Sequence, residues 1–243
     1  MMVRLMVLVV SMVYFGAAEG PLRFELKQIE KHTATCVISF EYPEIISAAS
    51  PEVRDRINAG IRRVLLQSSA WPASESGLRS LGEYINAFVK SCELETRPLY
   101  EHKLVTIFRY TPPILSFKCD ALAGLGGVHP FGTTLFVNFD SSTGQPVVIT
   151  DLLKEGALPK LESMAEAIFR RDQKLSPTES LSEQSYKFPG DRFRLNDNFG
   201  IGERELVFLF NTYEIGPGAM GATEITIPNV FLRELLKPGL HLW

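Results

Sequence analysis

Ala123-Gly124-Leu125-Gly126-Gly127-Val128-His129-Pro130-Phe131 runs directly into residues that alternate in polarity as far as Val137-Asn138-Phe139-Asp140. A strand, not a helix, follows the glycines, so the stretch is not a dinucleotide fingerprint, in which the glycine turn opens a helix. Glycines in such a loop permit positive φ and close backbone approach, and successive N–H groups can hold an anion or a carbonyl. The same glycines also serve a tight, irregular crossing between two strands that needs no ligand. A second glycine-rich segment, Phe210-Asn211-Thr212-Tyr213-Glu214-Ile215-Gly216-Pro217-Gly218, answers the first near the end of the chain.

Outward from the first loop, period-two patterns predict strands at Glu93–Tyr100, Leu104–Tyr110, Ile114–Leu122, Thr133–Asp140 and Gln145–Val148. Short polar turns such as Ser141-Ser142-Thr143-Gly144 separate them, which predicts an antiparallel meander. Upstream, Leu22–Lys31 and Thr33–Tyr42 alternate around a turn at Lys31–His32, and Tyr42-Pro43 is expected to end that sheet segment. Ser50-Pro51-Glu52 opens a helix whose stripe is Val53, Ile57, Ile61, Val64 and Leu65, with Arg54, Arg56, Arg62 and Arg63 on the solvated side. After a loop at Trp71–Gly77, Leu78, Leu81, Ile85, Phe88 and Val89 mark a second helix that ends near Cys92.

Downstream, Thr150-Asp151-Leu152-Leu153 begins a helical turn, and Leu158, Leu161, Met164, Ala165, Ile168 and Phe169 mark a third helix to about Asp172. Gln173–Gly190 reads as a long loop or lid, Phe193–Phe199 and Glu205–Asn211 as paired strands, and Ala222–Ile227 as another. Pro228-Asn229 opens a last short helix carrying Val230, Phe231, Leu235 and Leu236. The expected class is α+β: antiparallel meander sheets packed with roughly three to four helices.

The first residues, Met1-Met2-Val3-Arg4, an apolar run from Leu5 to Phe15 and Gly16-Ala17-Ala18, have the form of a secretory signal cleaved after Ala18. The apolar run is too short to span a bilayer, which takes about 20 residues. Cleavage leaves 225 residues (19–243), enough for one domain, with a possible division into subdomains 19–112 and 113–243. Loss of Arg4 moves the formal charge from −3 to −4, and this mildly acidic, mixed surface carries no nucleic-acid footprint. An oxidising compartment favours one disulfide among Cys36, Cys92 and Cys119, and the pattern does not say which two pair. No CxxC or Cys/His zinc spacing occurs, and neither a cofactor nor a metal is expected.

The residues able to carry chemistry are few. His129 sits in the glycine loop, where it either reacts or shapes the turn through backbone hydrogen bonds. A triad of Ser116, His129 and Asp140 lacks a nucleophile elbow, since Ser116 falls in mid-strand. A metal held by His129 with Asp120 or Asp140 needs another ligand. Asp140 and Glu214 would make a carboxylate pair if the two glycine segments met; otherwise Asp140 is a turn residue accepting backbone N–H bonds. Tyr213 and Glu214 suit a basic partner or a glycan, or else Tyr213 is buried and tethers its loop by the hydroxyl.

The order of these motifs resembles the extracellular domain of the lysozyme-sensing anti-sigma factor RsiV, a module also found ahead of the catalytic domain of PdaC-type peptidoglycan deacetylases. The matching residues are Phe40-Glu41-Tyr42-Pro43, Gly126-Gly127-Val128-His129-Pro130, Asn138-Phe139-Asp140 with Thr143-Gly144, and Thr150-Asp151-Leu152-Leu153. Phe208–Tyr213-Glu214-Ile215 with Gly221 and Ile225–Pro228 completes the set. Family versions often have alanine where this chain has Val128. The resemblance implies an α+β envelope domain whose ligand in the anti-sigma factor is a lysozyme. The chain has neither an anti-sigma segment nor a deacetylase domain, so those activities do not carry over.

Two functions follow as expectations. One is a secreted or periplasmic, non-catalytic binding module for an envelope protein, lysozyme-like, or a cell-wall glycan, through Gly126, Gly127, His129, Tyr213 and Glu214. The other is a cell-wall hydrolase using His129, Asp140 and Glu214, which requires those three to share a cleft.

Overall fold

In the computed structural model, which describes residues 22–67, 80–127, 129–240 and 242–243, the alternating segments form two sheets. Strands β1 (Arg23–His32), β2 (Cys36–Ser47), β3 (Leu99–Thr111), β4 (Ile114–Gly124) and β5 (Phe131–Asp140) lie side by side in that order. Strands β6 (Phe199–Ile201), β7 (Glu205–Phe210) and β8 (Thr223–Pro228) form the second sheet. Among the described residues four α-helices accompany them: α1 (Pro51–Gln67), α2 (Leu81–Cys92), the single turn α3 (Ile149–Leu152) and α4 (Leu158–Asp172). The α+β class stands. Among the described residues, the departure from antiparallel pairing is β2 against β3, which run parallel. Parallel neighbours cannot be joined by a hairpin, and α1 and α2 fall in the crossover between them. The expected leader (residues 1–18), the Trp71–Gly77 loop and Leu78 lie outside the described residues. Among the described residues, no helix is long and apolar enough to cross a membrane.

Several boundaries differ from the sequence expectation for identifiable reasons. β2 does not end at Pro43: it continues to Ser47, paired only with β1, because β3 pairs no further than Glu41. A proline is tolerated on an edge, and the free edge beyond it is closed by Asn58 of α1. The Asn58 amide donates to Ile45 O at 2.9 Å and accepts from Ile45 N at 2.8 Å. Residues 93–98 turn instead of pairing, and Gln145–Val148 reduces to one bridge, Phe139 with Pro146. The stretch before Phe199 is irregular, and β6 is only three residues long. Val230 and Phe231 form a 3₁₀ turn and are 59% and 60% exposed, so Leu232, Leu235 and Leu236 alone bury that segment.

Each sheet has its own core. The apolar stripe of α1 and the Tyr84, Ile85 and Phe88 face of α2 cover the inner face of the first sheet, where Ile38, Phe40, Val105, Leu115 and Phe117 are buried. Ser80 and Glu83 form a reciprocal capping box at the start of α2. The Cys36–Cys92 disulfide ties the start of β2 to the end of α2, leaving Cys119 as a buried thiol. In the second core, Phe169 of α4 makes ring contacts with Tyr186, Phe188 and Phe193 at 4.9, 5.8 and 5.3 Å. Residues 173–190 are therefore not a lid: Leu181, Tyr186 and Phe188 anchor them in the core. β4 and β5 belong to the first sheet, so a boundary at residue 112 would fall between the paired strands β3 and β4.

A polar group sits inside the first core. Glu101 and Lys103 point inward from β3 and are 0% and 2% exposed. Tyr84 donates its hydroxyl to Glu101. Lys103 Nζ lies 3.4 Å from the Glu101 carboxylate, donates to Leu65 O at 2.5 Å, and stands over the rings of Phe40 and Tyr84. Burial pulls the Lys103 pKa below its usual value, and the Glu101 charge opposes that fall. Such a cluster is costly to break on one side only. Lys103→Met is expected to lower stability by about 3–5 kcal/mol in urea unfolding. Adding Glu101→Leu and Tyr84→Phe should restore most of the loss, and an unrestored triple variant would contradict this account.

Candidate functional site

Among the described residues, β5 is the last strand of its sheet and has no sixth strand beside it. An unpaired edge presents bare N–H and C=O groups and invites association with other chains. Here asparagine side chains, whose amides carry the same donor and acceptor as a peptide group, take the place of the missing strand. Thr134 N donates to Asn211 Oδ1 at 2.7 Å, and Thr134 O accepts from Asn198 Nδ2 at 2.9 Å and Asn211 Nδ2 at 3.1 Å. Phe136 N donates to Asn198 Oδ1 at 2.8 Å. Further along, Asn138 O accepts from Val147 N and Asp140 N donates to Gln145 O.

The same asparagines reach the second sheet. Asn198 and Asn196 both donate to Leu209 O of β7, and Asn196 also donates to Glu214 Oε1 at 2.6 Å. The Asn196 Oδ1 atom is buried without a partner among the described residues. Asn138 adds a second connection: it accepts from Ser116 Oγ at 2.6 Å and donates to Phe199 O at 2.8 Å. Next to it, a Cβ on Gly200 would stand 2.4 Å from the Phe136 ring, so only glycine lets β6 lie this close to β5. A bulge in β3 between Ile107 and Arg109 pairs Arg109 with Ser116 and turns it onto this face. Arg109 then donates to Gly202 O at 2.7 Å and to Leu242 O.

The two glycine-rich segments come to the same end of β5. The first loop ends at Phe131, and the Asn211–Glu214 turn is tied at Thr134, about 10 Å along the strand at roughly 3.3 Å per residue. In the first loop, Gly126 has φ +77° and lies against Leu99, while Gly127 and His129 are exposed. In the second, Glu214 Oε2 accepts from Asn211 N at 2.8 Å, closing the turn. Tyr213 is not a buried tether: it is 66% exposed at φ +73°, with its ring lying against Gly218. A non-glycine residue in that region costs on the order of 1–3 kcal/mol, and the hydrogen bonds of Asn211 and Glu214 hold it there.

Asp140 is at the far end of β5, about 30 Å from the His129 loop by the length of the strand. It organises its own turn, accepting from Ser142 N and Oγ and from Thr143 N and Oγ1 at 2.6–3.0 Å. Burial pushes its pKa up, but these four hydrogen bonds outweigh that and hold it below the ordinary 3.8. Ser116 is buried and engaged with Asn138. His129, Asp140 and Glu214 thus share no cleft, and neither the hydrolase trio nor the Ser116 triad assembles. Asp120 is held by Thr134 Oγ1 and Lys118. Among the described residues, no three His, Cys, Asp or Glu side chains converge as a metal would require.

Sequence reasoning missed Asn196, Asn198 and Arg109. Asn196 and Asn198 fall inside the segment Phe193–Phe199 that reads as a strand, and nothing in the sequence marks them as clasps; Arg109 gives no signal either, since a bulge leaves no mark in the period.

With this geometry in view, the chain has the fold of solved DUF3298 proteins. Residues 150–229, from α3 through β8, match the family model described as a protein of unknown function (DUF3298). A DUF3298 family member from Bacteroides fragilis NCTC 9343 is 20% identical with a TM-score of 0.67, over 90% of this chain and 95% of that one. A DUF3298 family protein from Pseudomonas aeruginosa PAO1 is 14% identical with a TM-score of 0.67, over the same shares. At these identities the likeness establishes the fold. No curated protein matches the chain.

Asn198→Ala is expected to destabilise the protein by about 2–3 kcal/mol, because backbone groups of β5 and β7 lose their partner. Hydrogen exchange should show Phe136 N–H losing protection first; unchanged protection would contradict the edge-sealing role. Asp140→Ala should cost about 1 kcal/mol at neutral pH, a partly exposed turn contact being screened by water. A depressed native pKa gives stability that is present above 3.8 and lost as pH falls through the native value. The difference between wild type and Asp140→Ala in thermal melts should therefore be constant above about pH 5, start to shrink near 3.8 and vanish only once the pH is below the lowered native value.

Proposed function

We propose that the chain is an exported, non-catalytic binding module of the cell envelope, and that its ligand is a lysozyme-like protein. The surface would be built from the loops at 124–131 and 211–221. The single observation that carries this reading is Tyr213, two-thirds exposed and held in a left-handed backbone conformation by the Asn211–Glu214 turn. A large aromatic ring kept in solvent by a strained, braced turn suits recognition, where rigid aromatic anchors contribute most of the affinity. His129 and Gly127 stand exposed on the neighbouring loop. The acidic charge of the mature chain favours encounter with a basic partner. The leader-like first 18 residues support periplasmic or extracellular placement. The resemblance to the lysozyme-sensing ectodomain supports the ligand class, and a cell-wall glycan is the other occupant the same surface would suit.

Protein recovered from the envelope fraction, with an intact mass showing cleavage after Ala18, is to be titrated with lysozyme and, separately, with soluble cell-wall glycan fragments. Saturable lysozyme binding, weakened about tenfold or more by Tyr213→Ala without a change in melting temperature, is the expected result. Binding of glycan alone would reassign the ligand. Binding of neither, or binding indifferent to Tyr213, would overturn the surface.

A further inference from the structure

On a different part of the molecule, the segment after the second sheet folds back over α3. Leu153 and Leu236 form a bridge, Lys154 N donates to Leu235 O at 2.8 Å, and Lys237 N donates to Leu152 O at 2.9 Å. The last residues are fastened to the second sheet, with Trp243 Nε1 donating to Gly202 O at 3.0 Å. Between these attachments lies a cavity of about 460 Å³. Its polar lining is Lys154, Arg233, Lys237 and Asn229, and Leu240 and Trp243 give it an apolar wall.

Among the described residues, no Asp or Glu side chain lines this cavity, although the chain as a whole is acidic. Lys154 Nζ donates to a backbone oxygen, Glu234 O, at 2.7 Å, which positions the ammonium without neutralising it. The Glu234 carboxylate is turned to Lys160 at 3.4 Å. Glu155 lines an adjoining cleft with Lys154 and Lys237, outside the cavity itself. Arg233 and Lys237 make no ion pair within the described residues. Three exposed cationic side chains around one concavity raise the positive potential there and favour an anion among them. A guanidinium fork and two ammonium groups match the oxygens of a phosphate or carboxylate, and the tryptophan and leucine wall would cover an apolar body attached to it.

We infer that this cavity is a binding site for an amphiphilic anion, a phosphate or carboxylate group carried on an apolar chain. The site is independent of the Tyr213 surface, and either can fail without the other.

The test is a titration of the full chain, in a Trp71→Phe background so that Trp243 alone fluoresces, with octyl phosphate, inorganic phosphate and neutral octyl glucoside. Octyl phosphate should bind saturably, more tightly than inorganic phosphate, and about tenfold more weakly in Arg233→Gln/Lys237→Gln. Both replaced side chains are exposed, so the melting temperature should not move. Lys90→Gln, on the exposed side of α2, should bind as the parent does. Absence of saturable binding, equal binding of octyl glucoside, or undiminished binding by the double variant would overturn the site. Equal affinity for inorganic phosphate would overturn the part assigned to the apolar wall.

Discussion

The open edge of β5 is the constraint on which the rest of this structure depends. A five-stranded sheet must end somewhere, and this one ends where its last strand meets a second sheet only three strands wide. Backbone groups left bare there would cost about 1–3 kcal/mol each. Asn198 and Asn211 provide amides where another strand would provide peptide groups; Asn198 also donates to Leu209 O of β7, and Asn211 directly follows that strand. Edge sealing and sheet-to-sheet attachment are thus one set of hydrogen bonds. Side-chain amides do this without a further strand.

Two irregularities make that junction possible. The β3 bulge moves Arg109 from the face its sequence parity predicts to the face that meets β6. Gly200 removes the one Cβ that would hold β6 away from Phe136. The same logic appears at the other end of the sheet. Beyond the last β3 pairing, Asn58 closes the edge of β2 just as Asn198 closes β5. A side-chain amide at an unpaired edge is therefore a repeated device in this fold, used once within the first core and once between the sheets.

The arrangement also separates residues that looked like chemistry. His129 and Asp140 bracket β5, and a strand of ten residues is a spacer of about 30 Å. Asp140 spends its hydrogen-bonding capacity on its own turn, and Glu214 spends much of its own on Asn196 and Asn211. The glycine segments come to the same end of the strand, where the Tyr213 ring is displayed to solvent.

The sequence by itself determined the element types: period-two strands on either side of Gly126-Gly127, the α1 stripe from Val53 to Leu65, and the α4 stripe ending at Phe169. These are legible because a strand or helix writes its burial into a local period. It also bounded Asp140, whose Ser-Ser-Thr-Gly successors spell a turn. Tertiary structure alone decided the parallel β2–β3 pair, the Cys36–Cys92 choice among three cysteines, and the reach of Arg109. It likewise decided that Asn196 and Asn198 are clasps and not strand residues. The reason is physical: an amide side chain has no periodic signature, and its partners, Thr134 and Phe136, lie more than sixty residues away in the chain.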